Sequence, residues 1–197
     1  MAGTPLLKTV KAQPRKLLYL AKQPESLASL KSKATKAPTK TLLATVDKAL
    51  AWPGKPGVPP PPVVVPLNAE QQARFEKGKM LYAGVCAACH QPNGAGLEGL
   101  APPLADSEWV TGPAERPIRI ILHGVGGPIS VAGRTWNLEM PPLPIFSDED
   151  IASILTYLRR EWDHTASPVS PAAVAKVREA DKGRIKSWTA EELKKTK

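Results

Sequence analysis

Cys86-Ala87-Ala88-Cys89-His90 is the stretch that decides how this chain is read. It holds both cysteines of a 197-residue sequence and one of its three histidines. Several chemistries use paired thiols. A structural zinc site needs about four ligands at tetrahedral spacing, and no second Cys or His pair exists to complete one. A thioredoxin-like redox pair belongs in a βαβ pattern, which the flanking sequence lacks. A simple disulfide has no use for the histidine. The order C-x-x-C-H does match covalent attachment of a c-type haem. Each thiol can add to one vinyl group, the two-residue gap fits the vinyl separation, and the next imidazole is carried under the iron. One covalent haem c is therefore expected on Cys86 and Cys89, with His90 as a ligand to its iron.

Composition sets the frame around that motif. The length allows one ordinary domain with extensions, or two small domains. Twenty-two prolines and only five Phe and Tyr residues imply a modest core with long irregular connections. The net charge of +9 is uneven: residues 1–52 carry ten Lys and Arg against two acidic groups. No run approaches the roughly 20 apolar residues of a membrane span. The stretch after Met1 lacks the apolar core of a secretory signal, although haem attachment normally takes place outside the cytoplasm. The chain is accordingly read as a piece or mature form of a longer exported protein, periplasmic or otherwise exported.

Taken in order, residues 1–52 read as a basic segment of short helices broken by Pro14, Pro24 and Pro38. Leu17, Leu18, Leu20 and Ala21 form one apolar cluster. Leu27, Leu30, Leu42, Leu43, Val46 and Leu50 form others at near-helical spacing. Such helices are too short to stand alone, so the segment suits the end of a larger upstream domain. Residues 53–67 form a Pro-rich linker, with seven prolines between Pro53 and Pro66, stiffened towards polyproline II. The next domain begins with an Asn68/Gln71 capping-box pair and a helix to about Gly84. A shorter helix is expected from about Ala114 to Leu122. Residues 128–146 read as irregular. Ser147 then caps a helix in which Ile151, Ile154, Leu155, Leu158 and Trp162 share one face. Residues 164–197 read as a polar, partly helical tail without chemistry.

Residues 68–163 resemble class I c-type cytochromes. Gly78, Tyr82, Cys86, Cys89 and His90 keep that family's glycine–aromatic–Cys–Cys–His spacing. Pro102 and Leu104 are similar to its Pro-x-Leu, in which the proline carbonyl takes the N–H of the proximal imidazole. Leu155-Thr156-Tyr157-Leu158 resembles the family's final helix, and Gly127-Pro-Ile-Ser-Val-Ala-Gly133 is similar to cytochrome domains at the end of multidomain bacterial chains and dehydrogenase subunits. The resemblance implies an all-α fold class: a small cytochrome c-like helical domain around a covalent haem. It also implies that the first and last helices cross closely, with Gly78 against Tyr157.

The resemblance puts Met140 in the loop that supplies the second axial ligand, beside Pro141 and Pro142. Met80 stands too close to His90 in sequence to reach the opposite haem face. His123 is the rival: bis-His ligation lowers the potential, whereas His/Met raises it. His164 reads as an exposed group past the last helix. Leu100, Leu104, Trp109, Trp136, Ile145 and Phe146 are expected as pocket walls, or equally as plain core. The function implied is one-electron transfer from a dehydrogenase-type donor to a respiratory acceptor, without catalysis by the domain itself. Two alternatives stand beside it. One is a haem enzyme, peroxidase-like or gas-binding, with an open sixth site. The other is a basic binding module with an incidental cytochrome. Basic patches attract nucleic acid, but residues 1–52 lack interleaved aromatics and any nucleic-acid motif, so redox proteins are the expected partners.

Overall fold

A computed structural model of the chain describes residues 17–58 and 64–196. They fall into two units, Met1–Val63 and Val64–Lys197. The expected break at Pro14 and the centre of the proline linker, residues 59–63, lie outside the described residues.

In the first unit, Pro24 and Pro38 stand at helix beginnings, where a missing N–H costs nothing. Pro24 is the N-cap of α1 (Glu25–Lys33), and Pro38 occupies the first turn of α2 (Ala37–Ala49). The Leu17–Ala21 cluster is not helical. Leu18–Tyr19 forms a short strand, β1, paired in parallel with β2 (Leu50–Ala51). Lys55 ties the unit together: its ammonium lies 3.4 Å from Asp47, donates to the Leu50 carbonyl at 2.7 Å and sits over the Trp52 ring. Asp47 also pairs with Lys31 at 3.2 Å, and these cations hold its carboxyl below the usual range despite the opposing effect of burial. Leu27 and Ala51 are buried, whereas Leu30 and Leu42 are mostly exposed.

In the second unit two capped helices meet across the core. Helix α3 (Ala69–Leu81) starts on the Asn68/Gln71 capping box. It runs on through a π-helical turn, Tyr82–Cys86, into the short α4 (Ala87–His90). Helix α7 (Asp148–Leu158) starts on a Ser147/Asp150 capping box, and its residues Ile151 to Leu158 are all buried. The two helices touch where α3 carries Gly78. A Cβ built there would stand 2.0 Å from the Ser153 carbonyl oxygen and 2.9 Å from Tyr157 Cβ. Only a residue without a side chain permits that approach. Ion pairs run along the rim of the crossing: Arg74 with Glu149 at 2.8 Å and Lys77 with Asp150 at 2.8 Å.

Between α4 and α7 lie α5 (Glu108–Thr111), α6 (Glu115–His123) and a hairpin. The hairpin corrects the reading of 128–146 as irregular. Strand β3 (Pro128–Val131) pairs antiparallel with β4 (Arg134–Asn137). Ala132 and Gly133 both have positive φ, 49° and 75°, the two-residue turn that matches strand twist. Ile129, Val131 and Trp136 are buried on one face. The strand signal was present in the alternation of Ile129 and Val131 before Ala-Gly.

The largest correction concerns residues 164–197, which are built into the body of the domain. Val169, Val174 and Val177, the last two on α8 (Pro171–Ala180), belong to the main core with Ile118, Ile154 and Leu155. Trp188 and Leu193, the latter on α9 (Ala190–Lys195), join Trp109, Val125, Val131 and Trp136 in a second cluster. Helix α7 ends at Leu158, so Trp162 is not on it. A turn with φ 51° at Trp162 still brings the ring inward, 5.6 Å from Tyr82 and 5.8 Å from Tyr157 between centroids. His164 is buried as well: Nδ1 donates to Leu158 O at 2.6 Å, and Nε2 accepts from the Asp106 N–H at 3.0 Å. Buried Arg159 donates to the carbonyls of Val110, Gly112 and Ser167. A polar composition hid this packing, because His164 and Arg159 are buried on backbone carbonyls and an amide that no periodicity reveals.

Gly78→Ala is expected to destabilise the unit by ~1–3 kcal/mol, since overpacking at a close contact forces the helices apart. Denaturant unfolding of the full chain checks this; an unchanged midpoint would mean that the helices do not meet at Gly78.

Candidate haem site

Cys86, Cys89 and His90 stand at positions i, i+3 and i+4, which share one face of a helix. The π-helical turn ends on Cys86, and a single inserted turn of this kind often marks a functional site. After His90 the chain reverses at Gln91, whose φ is 64°. The loop then closes on itself through Gly96 N–H to His90 O at 2.9 Å and Leu104 N–H to Gly94 O at 2.8 Å. This closure brings Pro102 back over the imidazole. His90 Nδ1 donates to the Pro102 carbonyl at 2.9 Å, which fixes the tautomer and leaves Nε2 as the nitrogen with a free lone pair. Burial holds the His90 pKa below its ordinary value, partly opposed by the Pro102 bond. Both effects of the surroundings keep the ring neutral or oriented as a ligand needs it.

Two adjoining cavities open beside the motif, of about 200 and 290 Å³. Cys89, His90, Leu104, Trp109, Ile120, Met140 and Pro141 line both. Cys86 and Phe146 line the first; Pro102, Leu100 and Trp136 line the second. Five of the six expected wall residues therefore gather with the motif; the sixth, Ile145, lines neither cavity and is 86% exposed. Met80 is also largely exposed, and His123 lines neither cavity. The sequence reading missed Ile120 and Pro141. Ile120 was legible as part of the apolar run Ile120-Ile121-Leu122 at the end of α6.

The walls suit a flat apolar group with a polar edge. Nearly all of them are hydrocarbon or aromatic. Trp136 Nε1, by contrast, is buried and has no hydrogen-bond partner among the described residues. A buried unpaired donor is costly, and an acidic substituent on an otherwise apolar ligand would satisfy it. The Cys86 thiol is not tuned for thiol–disulfide chemistry. Burial, reinforced by the neighbouring Cys89, pushes Cys86 up to about 11, whereas reactive C-x-x-C pairs have depressed values.

Two neighbouring thiols and an imidazole fixed by a carbonyl, set in an apolar cavity, suit a covalent haem in an electron carrier. A family model for cytochrome c matches residues 75–162. Cytochrome c-552 of Thermus thermophilus is 36% identical over 122 residues, covering 60% of this chain and 82% of that protein. The chain belongs to the cytochrome c family. It is also 31% identical to the gluconate 2-dehydrogenase cytochrome c subunit of Pantoea cypripedii, over 52% of this chain and 24% of that one. The alcohol dehydrogenase (quinone) cytochrome c subunit of Gluconacetobacter polyoxogenes is 30% identical, over 52% and 22%. The family carries haem c covalently and transfers electrons with it.

Replacing both thiols, Cys86→Ala with Cys89→Ala, is expected to abolish stable coloured protein, since the largest apolar element of a small core is then no longer held. In the unaltered protein the colour should stay with the polypeptide through acid–acetone extraction. A double variant that still accumulates as stable coloured protein would overturn this view.

Proposed function

We propose that the domain is a one-electron carrier whose iron is held between His90 and Met140, fed by a dehydrogenase-type donor and emptied by a respiratory acceptor outside the cytoplasm. When bound, the haem supplies reversible one-electron chemistry at iron. The carrying observation is that Met140 lines both cavities together with His90 and packs against both core clusters. His90, oriented by Pro102, offers Nε2; Met140 offers a thioether from a backbone clamped to Val125 by two hydrogen bonds, 3.1 and 2.9 Å. With haem bound, two such side-chain ligands would leave no vacant position, which favours electron transfer over a peroxidase-like or gas-binding role. Leu104, Trp109, Ile120 and Phe146 keep water away and so favour the less charged state. Ligation by His and Met raises the potential relative to bis-His.

The dehydrogenase donor is supported by the relatives that serve as cytochrome subunits of gluconate and alcohol dehydrogenases. Among the described residues no helix is long and apolar enough to cross a membrane. Residues 53–197 hold 17 basic and 16 acidic groups, so long-range steering of partners is weak. A tether through the proline linker would compensate by raising the effective concentration of one partner.

Met140→Ala should remove the weak far-red sulfur-to-iron band of the oxidised protein. It should also lower the potential by on the order of 100 mV, within the roughly 0.8 V that axial ligands command. His123→Ala and Met80→Leu should leave both unchanged. Loss of the band in His123→Ala with its survival in Met140→Ala would reverse the assignment.

A further inference from the structure

We propose that the C-terminal segment around Trp188 is a positioning element for Met140, which it holds through Val125; this rests on the reading of Met140 as an axial ligand. Met140 lies in no helix. Among the described residues its backbone is anchored by the pair of bonds to Val125, Val125 N–H to Met140 O and Met140 N–H to Val125 O. Val125 is in turn gripped from its other side. Trp188 N–H donates to Gly124 O at 3.0 Å, and Gly126 N–H donates to Trp188 O at 2.9 Å. Three pieces distant in sequence thus form a miniature ladder, with Val125 central, Met140 antiparallel on one edge and Trp188 parallel on the other. The packing is close: at Gly124, φ 76°, a Cβ would stand 2.5 Å from Met140 O. Ser187 Oγ adds a bond to Glu139 Oε1, next to Met140, at 3.2 Å.

The outer edge of the ladder is itself fastened on both sides. Before it, Asp181 pairs with Arg119 of α6 at 2.9 Å, both side chains about nine-tenths buried. After it, the Thr189/Glu192 capping box starts α9, Leu193 is fully buried, and Arg116 Nε donates to Leu193 O at 3.2 Å. The Trp188 ring is buried in the same cluster as Met140 and stacks with the Arg184 guanidinium 3.5 Å from its centroid. A thioether ligand competes with water and added ligands for its metal. A loop fixed by a ladder loses less often in that competition than a free one, because opening must break the ladder first. Trp188 acts on the site through Val125 and touches no reacting atom.

The test uses the full haem-loaded chain and titrates the oxidised protein with imidazole, which binds only when the sixth position opens. Trp188→Pro removes the N–H that holds Gly124 and the ring; Trp188→Ala removes the ring alone; Trp188→Phe keeps an aromatic. Val174→Ala, in the main core on α8, is the control for general destabilisation. Trp188→Pro should bind imidazole about tenfold more tightly, equivalent to ~1.4 kcal/mol easier opening. Trp188→Ala should shift in the same direction and Trp188→Phe should restore the original affinity. Val174→Ala should lower the melting temperature while leaving imidazole affinity unchanged. Should Trp188→Pro fail to fold, the Ala and Phe pair decides. Equal affinity in the original and Trp188→Ala proteins, or an equal shift from Val174→Ala, overturns the proposal. A Met140-dependent far-red band alongside unmoved Trp188 variants sinks the positioning role alone; absence of that band in the original protein sinks the ligand assignment and this proposal together.

Discussion

The contact of α3 with α7 at Gly78 is the constraint on which the second unit depends. With the Ser153 carbonyl where the Gly78 side chain would be, the helices meet backbone to backbone, and dispersion contacts are dense along the seam. The seam continues into an aromatic cluster in which Phe75 and Tyr82 each lie 5.3 Å from Tyr157. Tyr82 closes that cluster and donates its hydroxyl to Gln91 O at 2.5 Å, directly after the cysteine–histidine motif. The crossing therefore fixes where α3 ends, and the end of α3 fixes where the two thiols and the imidazole stand.

What the site does chemically follows from burial with selective polar support. An isolated buried imidazole would be a burden; one whose Nδ1–H is taken by Pro102 is held with Nε2 oriented as a ligand would need it. The Cys86 thiol receives no support of that kind. Desolvation raises it, and among the described residues no cation or long helix N-terminus lowers it, so attachment rather than thiol exchange is the chemistry its surroundings favour. Hydrocarbon walls complete the arrangement by lowering the local dielectric, which is one of the protein's few levers on a haem potential.

The segment beyond the family match is part of the same construction. The match ends at residue 162, yet Val174 and Leu193 are fully buried and Arg159 bridges α7 to the α5–α6 connection and to Ser167. Helix α8 also reaches the N-terminus of α7, where Arg178 pairs with Asp148 at 2.7 Å and donates to Phe146 O at 2.8 Å. The C-terminal residues thus add a second layer of core over α6 and the hairpin. A small domain gains proportionally more from such a layer than a large one, because so much of its surface otherwise stays wet.

Local chemistry determined the legible part. The haem motif, the caps at Asn68 and Ser147, the face of α7 and the need for glycine at position 78 all depend on residues a few positions apart or on a resemblance carried by spacing. Tertiary structure decided the rest. Nothing near His164 in sequence says that Leu158 O and Asp106 N–H will satisfy both ring nitrogens, and nothing near Ile145 says that it stays outside while Pro141 lines the cavities. The hairpin at 128–137 lay between: its alternation was visible, but its burial came from the α9 side of the molecule. The grouping of Trp188, Val125 and Met140 is the clearest case. Backbone hydrogen bonds carry no side-chain signature, so which strands pair is settled only when the whole chain has packed.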